Sequence, residues 1–159
     1  MEIIARSAGE DGHEAYTAGL LRQIGKLVLG HILEKDHPGL ACNEDVDICA
    51  WERQQFNITS HEVTAMVLEA WKLPPEFHHG IRHHHVPEAD GKNGPLGAML
   101  HLACWVTQTL GHGMKAEARV WELTPERLEL AGVSEEYIRD SVMETSNAFN
   151  ALKEQLGVS

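Results

Sequence analysis

The sequence predicts an all-α fold, a multi-helix bundle. Apolar residues recur at helical spacing in nearly every segment, and no stretch alternates as a half-buried strand would. Helix start and stop residues also punctuate the chain about one helix length apart. With 159 residues, 43% hydrophobic and 23% charged, the chain has enough apolar material for one core. It shows no repeat, low-complexity tract or composition break, so residues 1–159 read as a single domain.

The first predicted helix runs from about Glu14 to Glu34, with Tyr16, Leu20, Ile24, Leu27 and Val28 as its apolar stripe. The turn signal His37-Pro38-Gly39 stops it. A short helix is expected from about Glu44 to Gln55, capped by Asn43. Thr59 and Glu62 then fit a capping box, in which each side chain satisfies a free backbone donor of the other residue. The helix they open is expected to bury Val63, Met66, Val67 and Ala70. Pro74 and Pro75 end that helix, because proline is excluded from helix interiors but favoured at the first helical position. A further helix follows, to about His83.

VPEADGKNG is the longest polar connection and reads as a loop. From Pro95, Leu96, Met99, Leu100, Ala103, Val106 and Leu110 form a strongly apolar helix, closed by Gly111-His112-Gly113. Thr124-Pro125 opens a short helix that Gly132 ends. Ser134 with Glu135 and Glu136 opens the last one, acids being favoured near a helix N-terminus. Ile138, Val142, Phe149, Leu152 and Leu156 are assigned to its core face.

A formal net charge of −11 argues against nucleic acid and against an anionic membrane surface, since both need a basic face. No apolar run approaches the roughly 20 residues of a membrane span. The N-terminus lacks the pattern of a signal peptide. Cys42, Cys49 and Cys104, an odd number without CxxC spacing, suggest reduced thiols and a cytoplasmic setting. Cys49 and Cys104 read as small core residues.

Five of the eleven histidines fall within FHHGIRHHH, between His78 and His85. Neutral imidazoles are common transition-metal ligands. His79 and His83 stand one helical turn apart, as do His101 and Cys104. Against a metal, adjacent histidines on a helix diverge, and no HEXXH, CxxC or DxD motif supplies a second half.

The blocks AYTAGLLRQIGKLVL, FNITSHEVTAMVLEAWKLP, IRHHHVP and LHLACWV, in that order, resemble the HDOD family, output domains related to the HD metal-dependent phosphohydrolases. The likeness covers about Ala15 to Val106. It implies an all-helical bacterial regulatory domain, often found beside receiver or other signalling domains. Family domains carry further helices before the first block, where this chain has only about a dozen residues. The family's N-terminal helices are therefore expected to be absent or to belong to a longer protein. The apolar surface they would leave is expected to find a partner, as a homodimer or with a second fragment.

The catalytic relatives read GLLHDIGK in the first block, with His and Asp as metal ligands. Here Arg22 and Gln23 occupy those places. Arginine stays protonated and repels a cation, and a neutral amide replaces a bridging carboxylate poorly. By the family register the next ligand falls at Ser60, with His61 one residue and about 100° away on a helix. The ligand aspartate of LHLAD is replaced by Cys104. Only the pair His84-His85 is retained.

The resemblance thus implies a dead metal site of Arg22, Gln23, Ser60, His84, His85 and Cys104, with no catalytic residue, metal or cofactor. Arg22 and Gln23 are expected to hydrogen-bond across the old cavity to His84, His85 or Ser60. The leading function is a non-catalytic signal-transduction domain that binds protein partners or a fused signalling domain. One alternative is an HD-type phosphohydrolase or cyclic-dinucleotide phosphodiesterase. Another is a sensor in which Arg22 and the histidines hold a small anionic ligand, arginine matching phosphate geometry.

Overall fold

The computed structural model describes residues 1–43, 46–90 and 95–158. It is all-helical among these residues. The α-helices are α1 (Glu2–Ala8), α2 (Gly12–Leu21), α3 (Ile24–Asp36), α4 (Ile48–Phe56), α5 (Ser60–Ala70), α6 (Pro75–His83), α7 (Leu96–Thr109), α8 (Pro125–Ala131) and α9 (Glu135–Leu156). Short 3₁₀ turns cover Pro87–Asp90 and Lys115–Glu117.

The single long helix expected over Glu14 to Glu34 is two helices, broken at Arg22 and Gln23. A break orphans backbone groups that must find partners. Here a side chain 39 residues further along the chain provides them. The Thr64 hydroxyl accepts from Gly25 N at 2.9 Å, with the carbonyls of Arg22 and Ser60 at 3.1 and 3.0 Å to receive its proton. Gly25 has no Cβ, so α3 can lie directly against the first turn of α5. A Cβ built at Gly25 would stand 1.8 Å from the Ser60 carbonyl oxygen.

The break also re-aims the apolar stripe. Tyr16, Leu20, Leu27 and Val28 face solvent, Leu27 at 74% exposure, while Ala15, Ala18, Gly25 and Leu29 are buried. In α5 the same kind of correction applies. Ser60, Thr64, Ala65 and Leu68 are buried; Met66 and Ala70 are exposed and Val63 and Val67 only partly covered. Small residues, rather than large ones, mark the face that meets α3.

Local signals behave as expected. The Thr59–Glu62 capping box is formed, with Thr59 N donating to Glu62 Oε2 at 2.8 Å. Pro75 opens α6, Thr124 and Ser134 cap α8 and α9, and Gly132 closes α8 at φ 68°. The cap of α4 is Asp47, which accepts from Ala50 N at 2.7 Å, rather than Asn43. The expected start at Glu44 lies outside the described residues, as does Gly91–Gly94 of the loop.

Helix α7 runs through the centre of the molecule. Ala98, Met99, Leu102 and Val106 join one apolar cluster with Ile4 and Ala5 of α1, Leu128 and Ala131 of α8, and Ile138 of α9. Leu100 joins a second with Ala18, Leu68, Phe77 and Ile81. Gly80 and Gly97 let α6 and α7 cross closely, a Cβ at Gly97 lying 3.1 Å from the Gly80 carbonyl oxygen. Helix α1 does not emerge from the sequence pattern, being only 7 residues long.

The core face assigned to α9 ends early. Ile138 is buried and Val142 partly so, but Phe149, Leu152 and Leu156 are exposed at 40%, 50% and 68%. At 1.5 Å per residue α9 spans about 33 Å against about 21 Å for α7, and it outruns the helices that cover it. No helix among the described residues is long and apolar enough to cross a membrane.

Candidate functional site

Three helices converge on a knot of aromatic nitrogens. The cap of α4 places Cys49 in its first turn, the capping box places His61 in the first turn of α5, and the end of α6 delivers His84 and His85. The His61 and His85 rings are 4.6 Å apart and those of His84 and His85 4.4 Å. Trp121 stacks on His84 at 5.7 Å and meets His85 edge-on at 4.9 Å.

Each imidazole has a distinct partner. His84 Nδ1 donates to the Ile81 carbonyl at 2.6 Å, which leaves its Nε2 buried and without a partner among the described residues. His85 Nδ1 lies 3.0 Å from Cys49 Sγ. The Nε2 of His61 meets the Thr59 hydroxyl at 3.1 Å, and its buried Nδ1 has no partner among the described residues. Cys49, His61 and His85 each offer a ligand atom within 4.8 Å of the others, the one such set among the described residues.

Of the other sequence-derived residues, His84 packs against this set and the rest make separate contacts. Ser60 adjoins it by its backbone: Ser60 N donates to the buried Glu52 Oε2 at 2.7 Å. Arg22 and Gln23 bond each other, Nη1 and Nη2 donating to the Gln23 amide oxygen at 2.6 and 3.0 Å when that amide faces the guanidinium. The expected bonds from this pair to His84, His85 or Ser60 are absent among the described residues. Arg22 instead lines a separate pocket of about 410 Å³ with Cys104, Met1 and Leu20. The helix break at Gln23 turns Arg22 that way.

His101 and Cys104 do not face a common point. His101 Nδ1 donates to the His84 carbonyl at 2.9 Å, so its Nε2 accepts from Arg127 Nη1 at 2.9 Å. It therefore braces the turn that presents the histidine pair. Nor do His79 and His83 converge on one point: His83 borders the main cleft, while His79 stacks edge-on with His78 at 4.8 Å.

That cleft has a volume of about 860 Å³ and is lined by Cys49, His61 and His85 together with Arg53, Arg82, Arg119 and Arg127. Arg53 pairs with Glu62 at 2.9 Å and Arg127 with Glu88 at 2.6 Å. Arg82 and Arg119 have no carboxylate partner among the described residues. Behind the cluster, Lys26 of α3 forms an ion pair with Glu117, and both are withdrawn from solvent at 19% and 2% side-chain exposure. Cys49, His61, Lys26 and Glu117 are absent from the site inferred from sequence. The family register points past His61 to Ser60, and Cys49 and Glu117 carry no local motif at all.

Burial keeps the imidazoles neutral. It brings His61 down to about 4 and His85 to about 3, and holds His84 well below the usual histidine value. Burial, reinforced by Asp47 and Glu52, pushes the Cys49 thiol up to about 12. An unfolded histidine titrates near 6.5, so the unfolded chain takes up protons first as pH falls. The stability these groups contribute is complete above about pH 6.5 and is lost on the way down to their folded values. The urea midpoint is therefore expected to be lower at pH 5 than at pH 7, and a His61→Gln variant to show a smaller difference. A midpoint that does not change over this interval would contradict the burial of neutral imidazoles.

A family model described as HDOD domain covers residues 1–87, somewhat over half of the chain. No curated protein and no solved structure matches it.

Proposed function

The chain belongs to the HDOD domain family, and from that premise we propose that it is a non-catalytic regulatory domain of bacterial signalling, acting through protein contacts. One observation carries the reading. Among the described residues the histidine cluster gathers thiol and imidazole but no carboxylate, and by the resemblance Gln23 and Cys104 stand where the hydrolases carry carboxylates. A two-metal hydrolytic centre needs bridging carboxylates to hold its ions and lower the pKa of bound water. Large apolar side chains left on the outside of α2 and α3, Leu20, Leu27 and Ile32 among them, give a partner protein or a second copy something to cover. A cytoplasmic location accords with reduced thiols.

A second reading, sensing of a small anionic ligand, draws on Arg82 and Arg119 in the cleft rather than on Arg22. One experiment separates the readings. The untagged protein is incubated with Mn²⁺ and a cyclic dinucleotide and followed for turnover and for melting temperature. Neither turnover nor a shift beyond that given by Mn²⁺ alone is expected. Turnover would overturn the non-catalytic reading. A shift lost in Arg82→Ala would move the assignment to the ligand sensor.

A further inference from the structure

We propose that Cys49, His61 and His85 form a mononuclear site for a borderline-soft divalent cation of the zinc type, with its fourth position open to the cleft. This ligand set differs from that of the catalytic relatives, with which it shares only His85. By the family register neither Cys49 nor His61 stands at a ligand position, and the ligand histidine would have fallen at Ser60.

The donor set matches the cation. One sulfur and two imidazoles suit zinc, whereas magnesium and calcium select oxygen. Ligands of a tetrahedral zinc stand about 3.5 Å apart. The three donors already lie within 4.8 Å of one another, with Cys49 Sγ and His85 Nδ1 at 3.0 Å. Small side-chain rotations suffice to close the set.

The surroundings fit as well. The buried Nδ1 of His61 has no partner among the described residues, and the Thr59 hydroxyl at its Nε2 orients the ring as outer partners of metal-bound histidines do. All three residues border the cleft of about 860 Å³, which gives an ion its route in and leaves a coordination position for water or an anion. Of the nearby cations, Arg53 is engaged by Glu62, Lys26 by Glu117 and Arg127 by Glu88, while Arg82 and Arg119 have no carboxylate partner among the described residues and suit an anion in the open position. Coordination replaces the thiol proton, so one proton leaves per ion and a thiolate with two neutral imidazoles remains. Such a site would tie α4, α5 and the end of α6 together.

Cobalt(II) is the probe. Untagged protein is stripped with a chelator, desalted and titrated with Co²⁺. Uptake of one ion is expected, with the near-ultraviolet thiolate-to-cobalt band and the intense visible bands of four-coordinate cobalt, all removed by one equivalent of Zn²⁺. The band should persist in Cys104→Ser and in the double variant His78→Gln with His79→Gln, and vanish in Cys49→Ser. Cobalt uptake without a thiolate band, or a band that survives Cys49→Ser, would overturn the assignment, as would no uptake at all. Should Cys49→Ser fail to fold, the wild-type band and its persistence in Cys104→Ser still identify the sulfur: Cys42 lies outside the cluster, and Cys42→Ser must then leave the band intact. Phosphodiesterase turnover by the loaded protein would reject the non-catalytic reading and leave the site standing.

Discussion

Replacing Gly25 by alanine is expected to unfold the domain or cost it roughly 4 kcal/mol or more, an effect at the extreme of single substitutions. The new methyl carbon would sit 1.8 Å from the Ser60 carbonyl oxygen and 2.8 Å from Thr64 N. Both are backbone atoms in the first turns of α5, so no side chain can swing aside. The helices must separate, and the bond from Gly25 N to the Thr64 hydroxyl is then lost together with the seat of His61. Gly30, in the same helix, supplies the control. A Cβ there meets nothing within 4 Å, and alanine should stabilise the helix by about 0.5–1 kcal/mol. Chemical denaturation of the two variants checks the pair. Equal and small effects would mean that α3 and α5 are not in this close contact.

The second large effect concerns the buried pair behind the histidines. Lys26→Met leaves the Glu117 carboxylate, only 2% exposed, without its counter-charge. Breaking such a pair costs about 3–5 kcal/mol, because the remaining charge has lost both water and partner. In a chain of this length that amounts to a melting temperature lower by about 10 °C or more. Adding Glu117→Leu should restore most of the loss, since a buried ion pair replaced by apolar groups is often neutral. Differential scanning calorimetry of the single and double variants reads both. A double variant no better than the single one would show that the cost arises from packing around Met114, which touches Lys26 Nζ at 3.2 Å, rather than from the orphaned charge.

How much of this was legible beforehand depends on how local each signal is. Caps and stops are written in three or four neighbouring residues, and Thr59–Glu62, Pro75, Thr124-Pro125, Gly132 and Ser134 act as their chemistry predicts. The apolar run from Leu96 to Leu110 was equally readable, because a central helix is apolar on most sides. The break at Arg22-Gln23 was not. Its cause is Thr64, far along the chain, and the clue beside it, Gly25, reads locally as an unremarkable helix glycine. Once that break is missed, the faces of α2 and α3 are assigned a quarter-turn or more wrong, and Leu20 and Leu27 are placed inside. The candidate site fails in the same way. His84 and His85 are adjacent in sequence and were found, whereas Cys49 and His61 reach them only through the packing of α4 and α5. Family register points to Ser60, one residue short of His61.

The length of α9 carries a consequence of its own. Its first turns are clamped by the core, and Phe149 still rests on His112 at 4.7 Å, but Leu152 and Leu156 have water on their apolar sides. A few helical turns without tertiary support are marginal in water, because propagation barely offsets backbone entropy. The last turns thus amount to a peptide tethered to a globule, opening and reforming while the core stays shut. Whatever settles on Leu152 and Leu156 also ends that fluctuation, so part of its contact energy is consumed in ordering the segment. Affinity at this end of the molecule would then respond to substitutions that alter helix propensity alone, at positions no partner touches.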